Sequence, residues 1–167
     1  NNSSYKIVSI GHRNPQGLYF DKENNFVLET EHGPQGGDEI NLIEKNKNYG
    51  WPLYSYGFSY GNKLEFKFPH EGEFIDPVHY FNPSIGISEI KFYKGNEFLF
   101  WKNKFLVTSL KNKSIYLLDF DNKANRFKSI ERIKIGHRIR DIVALSDGKI
   151  ILLTDDQKLI LLSRSSN

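Results

Sequence analysis

Two segments of the chain concentrate the residue types that can do chemistry. Residues 11–17 read GHRNPQG, and residues 29–43 contain the run EHGPQGGDE. A strand cannot continue its hydrogen-bonded ladder through a proline and several glycines, so the second segment must open into a loop whose backbone carbonyls face outward. Exposed carbonyl oxygens suit a hard cation, and the loop is therefore a candidate site for a ligand or a metal ion.

The arginines are few and clustered. The chain has six, and Arg13, Arg138 and Arg140 lie in its two Gly-His-Arg segments. The planar guanidinium is favoured where carboxylates or other planar oxygens are held by two hydrogen bonds at once. Two interpretations stay open: these arginines bind an anionic ligand, or they pair within the sheet with acidic residues, namely Asp38, Glu39 or Asp141.

Composition narrows the class of protein. A chain of 167 residues with 38% hydrophobic content can build the core of one domain. The absence of cysteine excludes a disulfide framework, a thiolate metal site and a cysteine nucleophile. Lysines are scattered beside acidic residues, which argues against nucleic-acid binding, and no apolar stretch approaches the ~20 residues of a membrane span. We expect neither a nucleic-acid partner nor a membrane span.

A repeat organises the chain. Residues 11–30 and 136–154 share the order Gly-His-Arg, strand, turn and strand ending in threonine, and residues 87–120 hold a degenerate copy. This pattern predicts an all-β fold of four-stranded antiparallel blades, as in a β-propeller. We expect blades at about 5–44, 87–134 and 137–164, the last with three strands, and an ordered aromatic insertion at 45–86. So few blades cannot close a ring. We therefore expect residues 1–167 to form about half of a propeller domain.

On these motifs the chain resembles the C-terminal half of the soluble pyrroloquinoline-quinone (PQQ) sugar dehydrogenases, the glucose/sorbosone dehydrogenase family of six-bladed propellers. Its glycine loop is nearer the broad-specificity aldose branch. The resemblance implies PQQ- and Ca²⁺-dependent oxidation of an aldose at its anomeric carbon, and a periplasmic or secreted protein. It rests on motifs that span nearly the whole chain: residues 11–18, 31–43, 48–52, 109–111, 138–141, 146–148 and 153–155.

The resemblance also implies roles for particular residues. Arg13 would lie beside the reactive carbonyls of the quinone and stabilise oxyanion charge, and Asn14 would hydrogen-bond the cofactor. Gly33 and Pro34 would offer their carbonyl oxygens to the Ca²⁺ ion. The remaining cations would complete the cofactor site, with the ammonium of Lys111 at a quinone oxygen and the guanidinium groups of Arg138 and Arg140 at the cofactor's carboxylates. Such a cationic floor suits a planar tricarboxylate.

The general base is expected outside this segment. In the family, the general base is a histidine that precedes the region matched here. We therefore expect the isolated chain to be inactive and to need an N-terminal half, or an equivalent chain, as its partner. His12 and His137 are interpreted as packed side chains, and His32 as a neighbour of the cation loop.

Two rival functions remain open on the sequence. One is a propeller of the same family that keeps the scaffold and binds ligands without redox chemistry. The other is an interaction protein that docks a partner through the aromatic residues of 49–81. Five polar groups at cofactor positions argue against the first rival, because a bare scaffold has no need of them.

Overall fold

The computed structural model describes residues 4–62 and 72–165. Within these ranges the chain is built almost entirely of strands, with two short 3₁₀ turns at Tyr60–Asn62 and Leu99–Trp101. Part of the predicted insertion, residues 63–71 with Phe66, Phe68 and His70, lies outside the described residues. No helix in the described part is long and apolar enough to span a membrane.

The strands follow one another in short antiparallel runs joined by tight turns. Their bounds are β1 (Ser9–Ile10), β2 (Pro15–Asp21), β3 (Phe26–Glu31), β4 (Asp38–Leu42), β5 (Lys47–Asn48), β6 (His79–Phe81), β7 (Ile87–Tyr93), β8 (Lys104–Ser109), β9 (Ser114–Asp121), β10 (Arg126–Lys134), β11 (Ile139–Ala144), β12 (Ile150–Thr154) and β13 (Leu159–Leu162).

These strands form three antiparallel sheets. Their orders are β2-β3-β4-β6, β7-β8-β9-β10 and β11-β12-β13. The second and third match the units predicted at 87–134 and 137–164, including the three-stranded character of the last. The all-β class and the four-stranded blades are confirmed, and the fold is that of a partial β-propeller.

The first sheet differs from the prediction in one strand. Residues 5–44 were expected to supply all four, but the fourth is β6, which lies inside the predicted insertion and pairs with β4. The segment before Gly11 instead forms the short β1, which runs parallel to β5. The chain returns antiparallel to β4 at β6, so the later segment takes the free edge of the sheet.

The central sheet packs on both neighbours through the two faces of the same strands. In β8 the side chains of Phe105 and Val107 join a core cluster with Leu28 and Ile40 of the first sheet. Between them, Leu106 points to the opposite face and joins the cluster of the third sheet. Successive side chains of a strand point to opposite faces of its sheet, so β8 is buried on both faces. The three sheets therefore pack one on another as successive blades.

Buried hydrogen bonds tie the first strands of the three sheets together. The Thr30 hydroxyl accepts from the Gly17 N–H at 2.9 Å and donates to the Ser88 carbonyl at 2.6 Å. The hydroxyl of Ser88 donates in turn to the carbonyl of Ile139 at 2.7 Å. Because each of these groups has a hydrogen-bond partner, the bonds fix the positions of the three sheets relative to one another.

Candidate functional site

The glycine-rich loop between β3 and β4 is held open by a buried carboxylate. Asp38 Oδ1 accepts from the backbone N–H of Gly33 at 3.2 Å and from the Ser84 hydroxyl at 2.8 Å, and Oδ2 accepts from Ile87 N–H at 3.0 Å. Gly37 has φ +67°, and a Cβ there would lie 2.4 Å from the nitrogen of Gly57. The turn therefore requires glycine, and its close packing fixes the loop conformation.

The loop borders an open cavity of about 700 Å³. Five predicted site residues line it together: Arg13, Asn14, Gly33, Pro34 and Lys111. They come from three separate segments, since Arg13 and Asn14 precede β2 and Lys111 lies in the turn after β8. Two cations and the carbonyl-bearing loop thus face one volume. The rest of the lining is His32, Gln35, Gly36, Asp38, Phe58, Tyr60, Asn82, Pro83, Ser84 and Gly86.

Arg13 is oriented by its neighbours on several sides. Its Nη1 donates to the His32 carbonyl at 3.0 Å, and its guanidinium carbon lies 5.1 Å from the ring centre of Trp51. The Glu31 carboxylate accepts the backbone N–H of Arg13 and, at 3.1 Å, that of Asn14. These contacts hold the guanidinium in place before any ligand arrives, which lowers the entropy cost of binding.

His32 has a structural place beside the same cavity. Its Nε2 donates to the carbonyl of Ile87 at 2.5 Å, and its Nδ1 lies 3.5 Å from the Asn14 amide nitrogen. Since a carbonyl can only accept, Nε2 carries the proton and Nδ1 is the acceptor. His32 therefore ties the Asn14 segment to the glycine loop and to β7.

Arg138 and Arg140 lie apart from this lining. Arg138 Nε donates to Asp155 Oδ2 at 3.0 Å, and Arg140 donates to Asp155 Oδ1 from Nε at 3.0 Å and from Nη2 at 2.7 Å. The hydrogen bond from Arg140, with that from Arg138, lowers the pKa of Asp155 against the small effect of burial. The partner is thus an aspartate that the sequence analysis did not name, and the cofactor role of both arginines stays a prediction.

The insertion contributes to the site more directly than expected. Phe58 and Tyr60 both line the cavity, and the Tyr60 hydroxyl donates to the Pro34 carbonyl at 2.6 Å. Gln35 and Phe58 exchange two backbone hydrogen bonds. Sequence reasoning predicted an ordered aromatic insertion at 45–86 but did not name these two residues, because only the folded path brings residue 58 back to residue 35.

A cluster of acidic side chains lies beside the cavity and was also missed. Glu29 and Glu31 of β3 are paired in register with Asn41 and Glu39 of β4. Burial, with the charge of Glu31, raises the pKa of Glu29 to about 9 and that of Glu39 to about 8. The spacing of two residues within each strand was the available signal, since it places the side chains on one face.

The fold is a partial β-propeller, and its candidate site is a polar cavity beside the glycine loop. Similarity to known proteins gives the family. Residues 1–163 match the Glucose / Sorbosone dehydrogenase family, and the chain belongs to that family. It is 38% identical over 160 residues to the aldose sugar dehydrogenase YliI of Escherichia coli K12, covering 90% of this chain and 41% of that protein.

Two other relatives extend the comparison. A crystal structure of a glucose dehydrogenase superposes with a TM-score of 0.84 at 36% identity, covering 96% of this chain and 47% of the other. The quinoprotein glucose dehydrogenase B of Acinetobacter calcoaceticus is 51% identical over 61 residues, which are 34% of this chain and 13% of that protein. The chain thus spans less than half the length of these relatives.

Proposed function

We propose that this chain supplies the cofactor-binding part of a PQQ- and Ca²⁺-dependent aldose sugar dehydrogenase, which oxidises the anomeric carbon to a lactone. The observation that carries the proposal is the convergence of Arg13, Lys111 and the Gly33-Pro34 loop on one cavity. Similarity to a dehydrogenase described as a quinoprotein supports the choice of quinone cofactor.

The residues of the cavity suit the cofactor pair in charge and in donor type. PQQ carries three carboxylates, and the cavity offers the cations Arg13 and Lys111. Ca²⁺ prefers oxygen ligands, and Gly33 and Pro34 can offer carbonyl oxygens. The Pro34 carbonyl already accepts from Tyr60, and a carbonyl has a second lone pair for an ion.

The chain's own residues would bind the cofactor and polarise its quinone. Bound PQQ would supply the hydride acceptor for the sugar, and Ca²⁺ held by the Gly33 and Pro34 carbonyls would supply positive charge to polarise the quinone. Arg13, oriented by its bond to the His32 carbonyl, places positive charge where negative charge develops. Asn14 donates a hydrogen bond that orients the cofactor, and Lys111 adds a second positive charge across the cavity.

Three of the four described histidines have the following contacts with other protein groups. His32 donates to Ile87, the ring of His12 lies within 4.6 Å of that of Tyr49, and His137 Nδ1 lies 2.8 Å from Asp156 Oδ2. General-base catalysis needs an oriented nitrogen within reach of the substrate hydroxyl, and we assign none of these three imidazoles that position. We therefore expect no turnover by these 167 residues alone, and turnover only in the full-length protein.

The test is a titration of PQQ into the full-length protein in the presence of Ca²⁺, followed by addition of an aldose. We expect saturable binding and then a change of the quinone absorbance as the sugar reduces it. Lys111→Ala should weaken binding, whereas Lys123→Ala, in an exposed turn, should not. Binding without reduction by any aldose would favour the non-catalytic rival, and no binding of PQQ would refute the proposal.

A further inference from the structure

A second group of chemically active side chains lies in β3 and in the turn before β2. His12 Nδ1 is 3.7 Å from Glu29 Oε2 and 3.6 Å from Glu31 Oε1, and the three ligand atoms all lie within 4.8 Å of one another. We propose that His12, Glu29 and Glu31 bind a divalent transition metal ion of the Zn²⁺ type, at a site separate from the carbonyls of Gly33 and Pro34.

The spacing of the three atoms fits an ion better than a direct contact. A protonated His12 would have to donate across 3.6 or 3.7 Å, which is too long for a hydrogen bond. Tetrahedral ligands at about 2.0–2.1 Å from Zn²⁺ are about 3.3 Å apart. The two separations from His12 Nδ1, 3.6 and 3.7 Å, exceed this ligand spacing by a few tenths of an ångström, so small side-chain movements would let both carboxyl groups share an ion with His12.

Buried atoms of the cluster lack protein partners. Within the described part of the chain, His12 Nδ1 and Glu29 Oε1 are buried without a hydrogen bond. Glu29 is only 5% exposed, so water does not readily replace a missing partner. An unsatisfied carboxyl oxygen in such a place is costly, and a metal ion bound by Glu29 together with the adjacent carboxylate of Glu31 would satisfy it.

The neighbouring groups already orient all three ligands. The Asn41 amide donates to Glu29 Oε2 at 3.1 Å and to Glu31 Oε1 at 3.0 Å. His12 Nε2 lies 2.8 Å from the Ser9 hydroxyl, and its ring stacks on that of Tyr49 at 4.6 Å. A histidine that binds metal through one nitrogen needs such a partner on the other, since this bond sets the tautomer and the ring orientation.

The mixture of ligands decides the kind of metal. One imidazole nitrogen and two carboxylate oxygens suit Zn²⁺ and related transition metals, whereas Ca²⁺ selects oxygen alone. Once the ion displaces any proton on Glu29, the two carboxylates neutralise the charge of a divalent ion, which permits burial. The His12 side chain is 16% exposed and gives the ion a route of entry.

The experiment is a calorimetric titration of Zn²⁺ into the chelator-treated full chain, with excess Ca²⁺ present so that the carbonyl loop is saturated. We expect one Zn²⁺ per chain, and we expect Glu29→Gln to lower its affinity at least about 100-fold, since it removes a ligand. Glu131→Gln, a change of an exposed carboxylate in β10, is the matched control and should leave the affinity unchanged.

Co²⁺ gives a readout on the unmodified protein should Glu29→Gln fail to fold. A tetrahedral site produces intense visible absorption bands of Co²⁺ that excess Ca²⁺ does not remove. The inference is overturned if no stoichiometric Zn²⁺ binds, or if Glu29→Gln binds as the unmodified chain does. It is also overturned if His137→Ala abolishes binding, since the ion would then lie at the surface pair of His137 and Asp156. None of these outcomes depends on PQQ binding.

Discussion

The guanidinium of Arg13 donates to the backbone carbonyl of His32 across 3.0 Å, so the first Gly-His-Arg segment is joined directly to the glycine loop. The two segments that the sequence marked as chemically active therefore form one unit. A ligand that reaches the carbonyls of the loop lies close to the positive charge of Arg13, because both line the same cavity.

Replacement of Arg13 by alanine should weaken PQQ binding by about 10- to 100-fold, the range expected when a charge-assisted hydrogen bond is lost. Arg13→Lys should recover only part of this, because an ammonium cannot reproduce the planar contact with two oxygens. Equilibrium titration of the full-length protein with PQQ at saturating Ca²⁺ measures both. Equal affinities for the three proteins would show that Arg13 is not in contact with the cofactor.

Arg138→Ala and Arg140→Ala separate a binding role from a structural one. Both side chains are about half exposed and share Asp155, so their ion pairs should contribute at most about 1 kcal/mol to stability. We expect each variant to unfold at nearly the same urea concentration as the unmodified protein and to bind PQQ more weakly. Destabilisation with unchanged PQQ affinity would assign the arginines to the Asp155 pair alone.

Thr30→Val should destabilise the protein by about 1–3 kcal/mol, because it removes the acceptor of the buried Gly17 N–H and the donor to the Ser88 carbonyl. Valine has nearly the same shape, so the change tests the hydrogen bonds rather than the packing. Urea unfolding followed by circular dichroism measures the effect. Stability within experimental error of the unmodified chain would mean that water or another group satisfies both partners.

His79 should make stability depend on pH in mildly acidic solution. Burial lowers the pKa of His79 below its usual 6.5, against the opposing effect of a hydrogen bond to the Phe127 backbone. The unfolded chain therefore takes up a proton more readily, and the free energy of unfolding falls as pH drops below about 6.5. We expect His79→Gln to lose this part of the decline.

Unfolding in urea at about pH 7.5 and about pH 5 measures that difference. His137→Gln is the control, because His137 is paired at the surface with Asp156 and lies outside the apolar contacts of His79 with Phe81 and Phe127. An identical decline in His79→Gln and in the unmodified chain would contradict the assignment.

The sequence by itself determined the strands, the repeat and the chemically active segments, because these are local properties. Short apolar runs between turn residues marked strands such as β8, and the proline and glycines after His32 marked an open loop. Arg13, Asn14, Gly33 and Pro34 could be named as candidates because they lie in the two motif segments, and Lys111 was added by the family resemblance.

Only the tertiary structure decided which distant residues meet. The fourth strand of the first sheet comes from His79–Phe81, since pairing depends on which strand reaches the free edge of β4. Tyr60 reaches Pro34 by the same return of the chain, and Asp155 becomes the partner of Arg138 and Arg140. Such contacts join residues far apart in sequence, and their selection depends on the packing of whole sheets, which no local pattern encodes.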